Sequence, residues 1–209
     1  MKTFCFALLF AAALFPAGSE ELPKAPVAVY FDYEQPPADQ VAASIQSRVE
    51  AILSPLGFDV HWREAGPGSR EVWSDLAFVT FQGRCGFGSA PFGKFVPGAL
   101  GWAETIDGQV QPFVEIDCNR IGALLETQLP LARAQKSQAL FARAVARVVA
   151  HELYHVFAKT DIHGIAGVGK AEFTARDLLS DDFRFDVPQA RTLRTTSAAD
   201  IQLFERAGR

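Results

Sequence analysis

The stretch that most limits what this chain can become is Ser137 to Lys159, an alanine-rich apolar run of helical period that carries His151-Glu152-Leu153-Tyr154-His155 in its second half. In an α-helix, residues four apart share a face about 6 Å from one another, so the imidazoles of His151 and His155 can reach one metal ion together. Glu152 is turned about 100° from His151, which lets it touch a metal-bound water without being a further ligand on that face. Zinc lowers the pKa of its bound water to about 7, and a neighbouring carboxylate can take the proton as general base. The pattern therefore points to metal-assisted hydrolysis with Zn2+ as cofactor. Given this chain's His and Glu content, roughly 0.004 such matches are expected by chance. Of 4 histidines in the sequence, His151, His155 and His163 share one short segment and His61 stands apart, a clustering that favours a metal site.

The N-terminus reads as a secretory signal over residues 1–19. Lys2 supplies the positive start, Phe4 to Phe15 the apolar run, and Ala17-Gly18-Ser19 the small residues before a cut at Glu20. A secreted or periplasmic protein is expected. No later stretch approaches about 20 apolar residues, so no stable membrane association should remain after cleavage. Cys5 would leave with the signal. Cys85 and Cys118 then form an even pair in a compartment that tolerates disulfides, and are predicted to be bonded. Residues 20–209 have the size of one domain, with 20–159 holding sheet and active-site helix and 160–209 a C-terminal part. The formal net charge of −4 is mild and no basic patch stands out, so nucleic acid is not an expected partner.

Val27 to Tyr33 is β-branched and aromatic between prolines 26 and 36, and reads as a strand. Asp39 to Leu53 places Val41, Ile45, Val49 and Ile52 at helical spacing and stops before Pro55 and Gly57. Phe58 to Arg63 and Leu76 to Phe81 read as two more strands. Gly83 to Gly98 is a long glycine- and proline-rich loop, either functional or an ordinary surface excursion. Leu100 to Thr105 and Val110 to Ile116 flank Asp107-Gly108, a dipeptide that favours a tight hairpin turn. Helical sequence resumes at Arg120 to Gln128 and again in the motif helix. Toward the end, Asp177 to Ser180 reads as a short helix, Pro188 as an interruption and Ala198 to Arg206 as a terminal helix.

This order of strand, helix, further strands and then the HExxH helix resembles the zincin metallopeptidases, on their metzincin side. The resemblance implies an α+β fold: a twisted mixed sheet, a backing helix, the active-site helix and a small C-terminal subdomain. It implies a polypeptide substrate that pairs with an edge strand above the cleft, for which Gln109 to Asp117 is the candidate. The segments ALGWAETIDGQVQPFVEIDC, HELYHVFAKTDIHG and GVGKAEFTARDLL are also similar to a group of uncharacterised predicted secreted bacterial proteins.

The third ligand is open between His163, which is favoured, Asp161 and Glu172. A metzincin would place a glycine at Ala158 and a ligand at Asp161, whereas a thermolysin-like enzyme takes a glutamate farther on, for which Glu172 is the match. His163 lies eight residues beyond His155, about 12 Å along a continuous helix, so the chain must turn back for it to join. Thr160, Asp161 and Gly164 offer turn chemistry for that. Met1 is the only methionine, so no methionine turn can underlie the metal. A glycine-rich apolar turn at Ile165 to Val168 could serve as its floor. Tyr154 is expected to pack, and Arg84 is a candidate donor to a substrate carbonyl. The leading expectation is a secreted zinc-dependent endopeptidase. The alternatives are a secreted non-catalytic binding module on the same scaffold, and a zinc amidase acting on cell-wall peptides.

Overall fold

The computed structural model describes residues 23–64, 66, 72–88, 90–126 and 134–207. The expected signal segment and Cys5 lie outside the described residues, as do the last two positions of the Arg120 to Gln128 helix.

Five strands form one sheet: β1 (Ala25–Gln35), β2 (Phe58–Glu64), β3 (Asp75–Arg84), β4 (Gly101–Ile106) and β5 (Gln109–Asp117), in the order β2-β1-β3-β5-β4. The first four in that order run parallel, and β4 is antiparallel to β5. Period-2 patterning explains which face is covered. Along β3, Ala77, Val79 and Phe81 are buried while Phe78 and Thr80 are exposed. Helix α1 (Asp39–Leu53) buries the stripe Val41, Ile45, Val49 and Leu53, and it ends in a turn that needs Gly57 at φ 92°.

Helix α3 (Ala134–Ala158) packs on α1, β4 and β5, and also on α2 (Cys118–Glu126), α4 (Ala175–Leu179) and α5 (Val187–Ala207). That position explains its composition. From Phe141 to Phe157 nearly every side chain is buried, and a helix packed on most sides is apolar round most of its surface, the polar exceptions including the motif residues. The expected α+β architecture of mixed sheet, backing helix, motif helix and C-terminal part is present.

Two expectations need correction. Gln109 to Asp117 is not the edge strand, because the Asp107-Gly108 hairpin folds β4 back outside β5. With β3 paired along Phe113–Asp117 on one side and β4 on the other, that part of β5 has no free main chain to offer. The edge is β4. Nor does Pro188 interrupt the terminal helix, which begins at Val187. Proline at the second helical position removes an N–H that has no partner there, and its φ suits the helix.

Cys85 and Cys118 are disulfide-bonded with Cα atoms 5.0 Å apart. The bridge joins the long loop to the first residue of α2. Closing a loop of 33 residues stabilises the fold by about 3–4 kcal/mol through lost chain entropy. Gln138 of α3 pins the same loop, accepting from the Phe87 N–H (3.0 Å) and donating to its carbonyl (2.6 Å). Arg84 is held in this loop as well: its guanidinium lies 4.3 Å from the Phe92 ring and donates to the Ala90 carbonyl. It does not line the cleft described below, so the expected role toward a substrate carbonyl is not supported.

Candidate metal centre

One helical turn apart on α3, His151 and His155 bring their Nε2 atoms to 3.1 Å. Their other ring nitrogens determine what those atoms are. His151 Nδ1 lies 2.7 Å from the Val168 carbonyl and His155 Nδ1 lies 2.7 Å from the Thr160 carbonyl. A carbonyl can only accept, so both Nδ1 atoms carry the hydrogen. Burial, followed by repulsion from His155, lowers the pKa of His151 to about 3, and burial lowers that of His155. Both rings are therefore neutral near pH 7, with Nε2 lone pairs facing each other. Two lone pairs at that distance repel unless a cation lies between them. Ligands at about 2.0–2.1 Å in a tetrahedral zinc site stand roughly 3.3–3.4 Å apart, so the pair needs to open by only about 0.2–0.3 Å to take zinc.

His163 completes the set. The ligand atoms of His151, His155 and His163 all lie within 4.8 Å of one another. Helix α3 stops because Lys159 adopts a left-handed φ of 50°, a helix C-terminal device usually given to glycine. The sequence carries no signal for it. The chain then reverses, and Tyr154 donates from its hydroxyl to the Ile162 carbonyl at 2.9 Å, next to His163. Tyr154 is buried as expected, and it holds the returning loop. The floor lies in the turn Gly167–Gly169, close to where the glycine-rich segment suggested. Val168 is buried beneath His151 and Gly167 has φ 65°, where a Cβ would collide with the Arg184 carbonyl.

Glu152 is 4% exposed, with Oε1 4.0 Å from His151 Nε2. Burial raises its pKa to about 8, and the Ala103 N–H of β4 pulls in the opposite direction. Gly101 lets β4 approach this closely: a Cβ there would lie 3.0 Å from Val148, one helical turn before Glu152. A cleft of about 630 Å³ opens in front of these groups, walled by Phe95, Leu100, Trp102, Val110 and Phe173. Asp161 and Glu172 line the same cleft, outside the three-histidine set. His61 is remote from it and pairs with Asp59 on β2.

No family model and no curated protein matches the sequence. Among solved structures, the chain is similar to archaemetzincin from Methanopyrus kandleri, with 14% identity over 86% of this chain and 98% of that one and a TM-score of 0.47. A likeness that distant decides nothing about this site. What the site can do follows from its own residues: three imidazoles placed for one metal ion, a buried carboxyl beside them and an open cleft. Sequence reading missed Ala103, Gly101 and Gln189, the last of which sits against the floor turn. None of the three carries a local pattern that marks it.

Proposed function

We propose that this protein is an exported zinc-dependent peptidase in which His151, His155 and His163 hold the metal and Glu152 is the general base. The observation that carries the reading is the pair of Nε2 lone pairs converging at 3.1 Å beside a buried glutamate. The chemistry a bound zinc supplies there is Lewis acidity toward water and a carbonyl oxygen. Glu152 takes a proton on its carboxylate and returns it to the departing amine. The Ala103 N–H of the edge strand favours the charged form of that carboxylate.

β4 suits an extended peptide, because among the described residues its outer side has no strand partner and its main chain can add one. The apolar walls of the cleft offer contact surface to the side chains of a bound peptide. Three converging protein ligands leave a coordination position open, as catalytic sites do, whereas structural zinc sites use four. This favours an enzyme over a binding module. Among the described residues no helix is long and apolar enough to cross a membrane. Export is supported by the Cys85–Cys118 bridge, and recovery of protein beginning at Glu20 from the periplasm or medium tests it.

The deciding experiment measures zinc content and cleavage of a peptide library by the purified protein. One zinc per chain is expected, with cleavage abolished by a chelator and restored by zinc. A protein that takes up no zinc overturns the reading. Full zinc occupancy without cleavage of any peptide overturns the peptidase and leaves the binding module.

A further inference from the structure

Gln189, in the first turn of α5, is only 4% exposed although its side chain is polar. Its Nε2 donates to the Gly169 carbonyl at 3.1 Å. That contact ends one residue from a part of the metal centre. Gly169 follows Val168, whose carbonyl fixes the Nδ1–H of His151. Tyr154 passes its own hydrogen to Ile162, which precedes His163. The Gly169 carbonyl also accepts from the Gly164 N–H at 2.7 Å, tying the residue after His163 to the floor. A Cβ on either Gly164 or Gly169 would run into the Gln189 amide, so both glycines make room for it.

The orientation of this amide is forced, since its oxygen cannot face the Gly169 carbonyl. As a result Oε1 is buried with no hydrogen-bond partner among the described residues. Leaving a buried acceptor unpaired costs about 1–3 kcal/mol. An apolar side chain would fill the same space without that cost, so stability alone does not explain glutamine here.

Resting on the reading that the three histidines hold zinc, we propose that Gln189 is a positioning residue. Through Gly169, whose carbonyl also holds the Gly164 N–H, it sets where His163 stands relative to His151 and His155. The C-terminal helix thereby belongs to the metal centre without touching the metal.

The test compares the wild type with Gln189→Leu, Tyr154→Phe and Ser197→Ala. Ser197 lies on the same helix and donates to the Leu56 carbonyl at 3.1 Å, away from the site. Zinc affinity is read by competition with a chromophoric chelator, coordination geometry by the visible spectrum of the cobalt-loaded protein, and stability by denaturation. Gln189→Leu is expected to bind zinc about 10–100-fold more weakly and to change the cobalt spectrum, with Tyr154→Phe moving both in the same direction. Ser197→Ala should lower stability and leave both unchanged.

If Gln189→Leu does not fold, Gln189→Met takes its place. It keeps much the same length, offers the Gly169 carbonyl no donor at any pH, and should show the same loss. Wild-type affinity and spectrum in the glutamine variant overturn the inference alone. So does a Ser197→Ala protein whose zinc affinity falls as far, since helix docking would then be the cause. A wild type that takes up no zinc removes the metal reading itself and the inference with it.

Discussion

Glutamine in place of Glu152 is expected to lower peptide hydrolysis by about 10²–10⁴-fold, the usual contribution of a general base, while zinc stays bound. In the metal-free protein the same change should raise stability at neutral and alkaline pH. Burial holds the Glu152 carboxyl at about 8, whereas an unfolded chain loses that proton near pH 4.3. Between those values the folded state keeps a proton the unfolded state has released, so wild-type stability falls as pH rises. Glutamine does not ionise, so it carries no such dependence.

His151 acts in the opposite sense. Its folded pKa of about 3 lies below its unfolded value near 6.5, so its contribution is lost as pH falls below 6.5. Both proteins share that loss, and the difference between them isolates Glu152. Denaturation at pH 5, 6, 7 and 8 should show the glutamine variant gaining over wild type by up to about 1.4 kcal/mol per pH unit, levelling off near 8. Zinc favours the ionised carboxylate and should narrow the gap. A difference that stays flat with pH would mean that Glu152 is not buried as an acid. Cleavage surviving in the variant would remove it from the mechanism.

The parts of the fold legible in the sequence are those decided locally. α1 was readable because Val41, Ile45 and Val49 repeat at helical spacing and Pro55 and Gly57 end the run. The β4–β5 hairpin was readable from Asp107-Gly108. Which of those two strands lies outermost is a non-local matter, decided by β5 pairing with β3, and no residue within Gln109–Asp117 announces it. The motif likewise named His151, Glu152 and His155 without showing what orients them. The carbonyls that fix both tautomers belong to Val168 and Thr160, and a backbone carbonyl carries no sequence signature. Gln189 was illegible for a related reason: one glutamine after a proline resembles any helix start until Gly164 and Gly169 are seen making room for it.

Alanine in place of His163 is expected to cost at least 10²-fold in zinc affinity, more than outer-shell changes usually do, with little effect on the stability of the metal-free protein. The second half follows from exposure. His163 is exposed, unlike His151 and His155, so its ring contributes little to the core. The loop that carries it is held by the Tyr154 to Ile162 hydrogen bond and the Gly164 to Gly169 contact, neither of which involves the imidazole. A ligand that binds only the folded state stabilises it by RT ln(1 + [L]/Kd), so a 10²-fold weaker Kd removes about 2.7 kcal/mol of the stabilisation zinc provides. Thermal melts with and without zinc should therefore coincide for the metal-free pair and separate once zinc is added. The same melts on Asp161→Ala and Glu172→Ala discriminate the other acids of the cleft. Should His163→Ala keep its full zinc stabilisation while one of those variants loses it, the third ligand is that carboxylate, and the turn at Lys159 serves to bring a different residue to the metal.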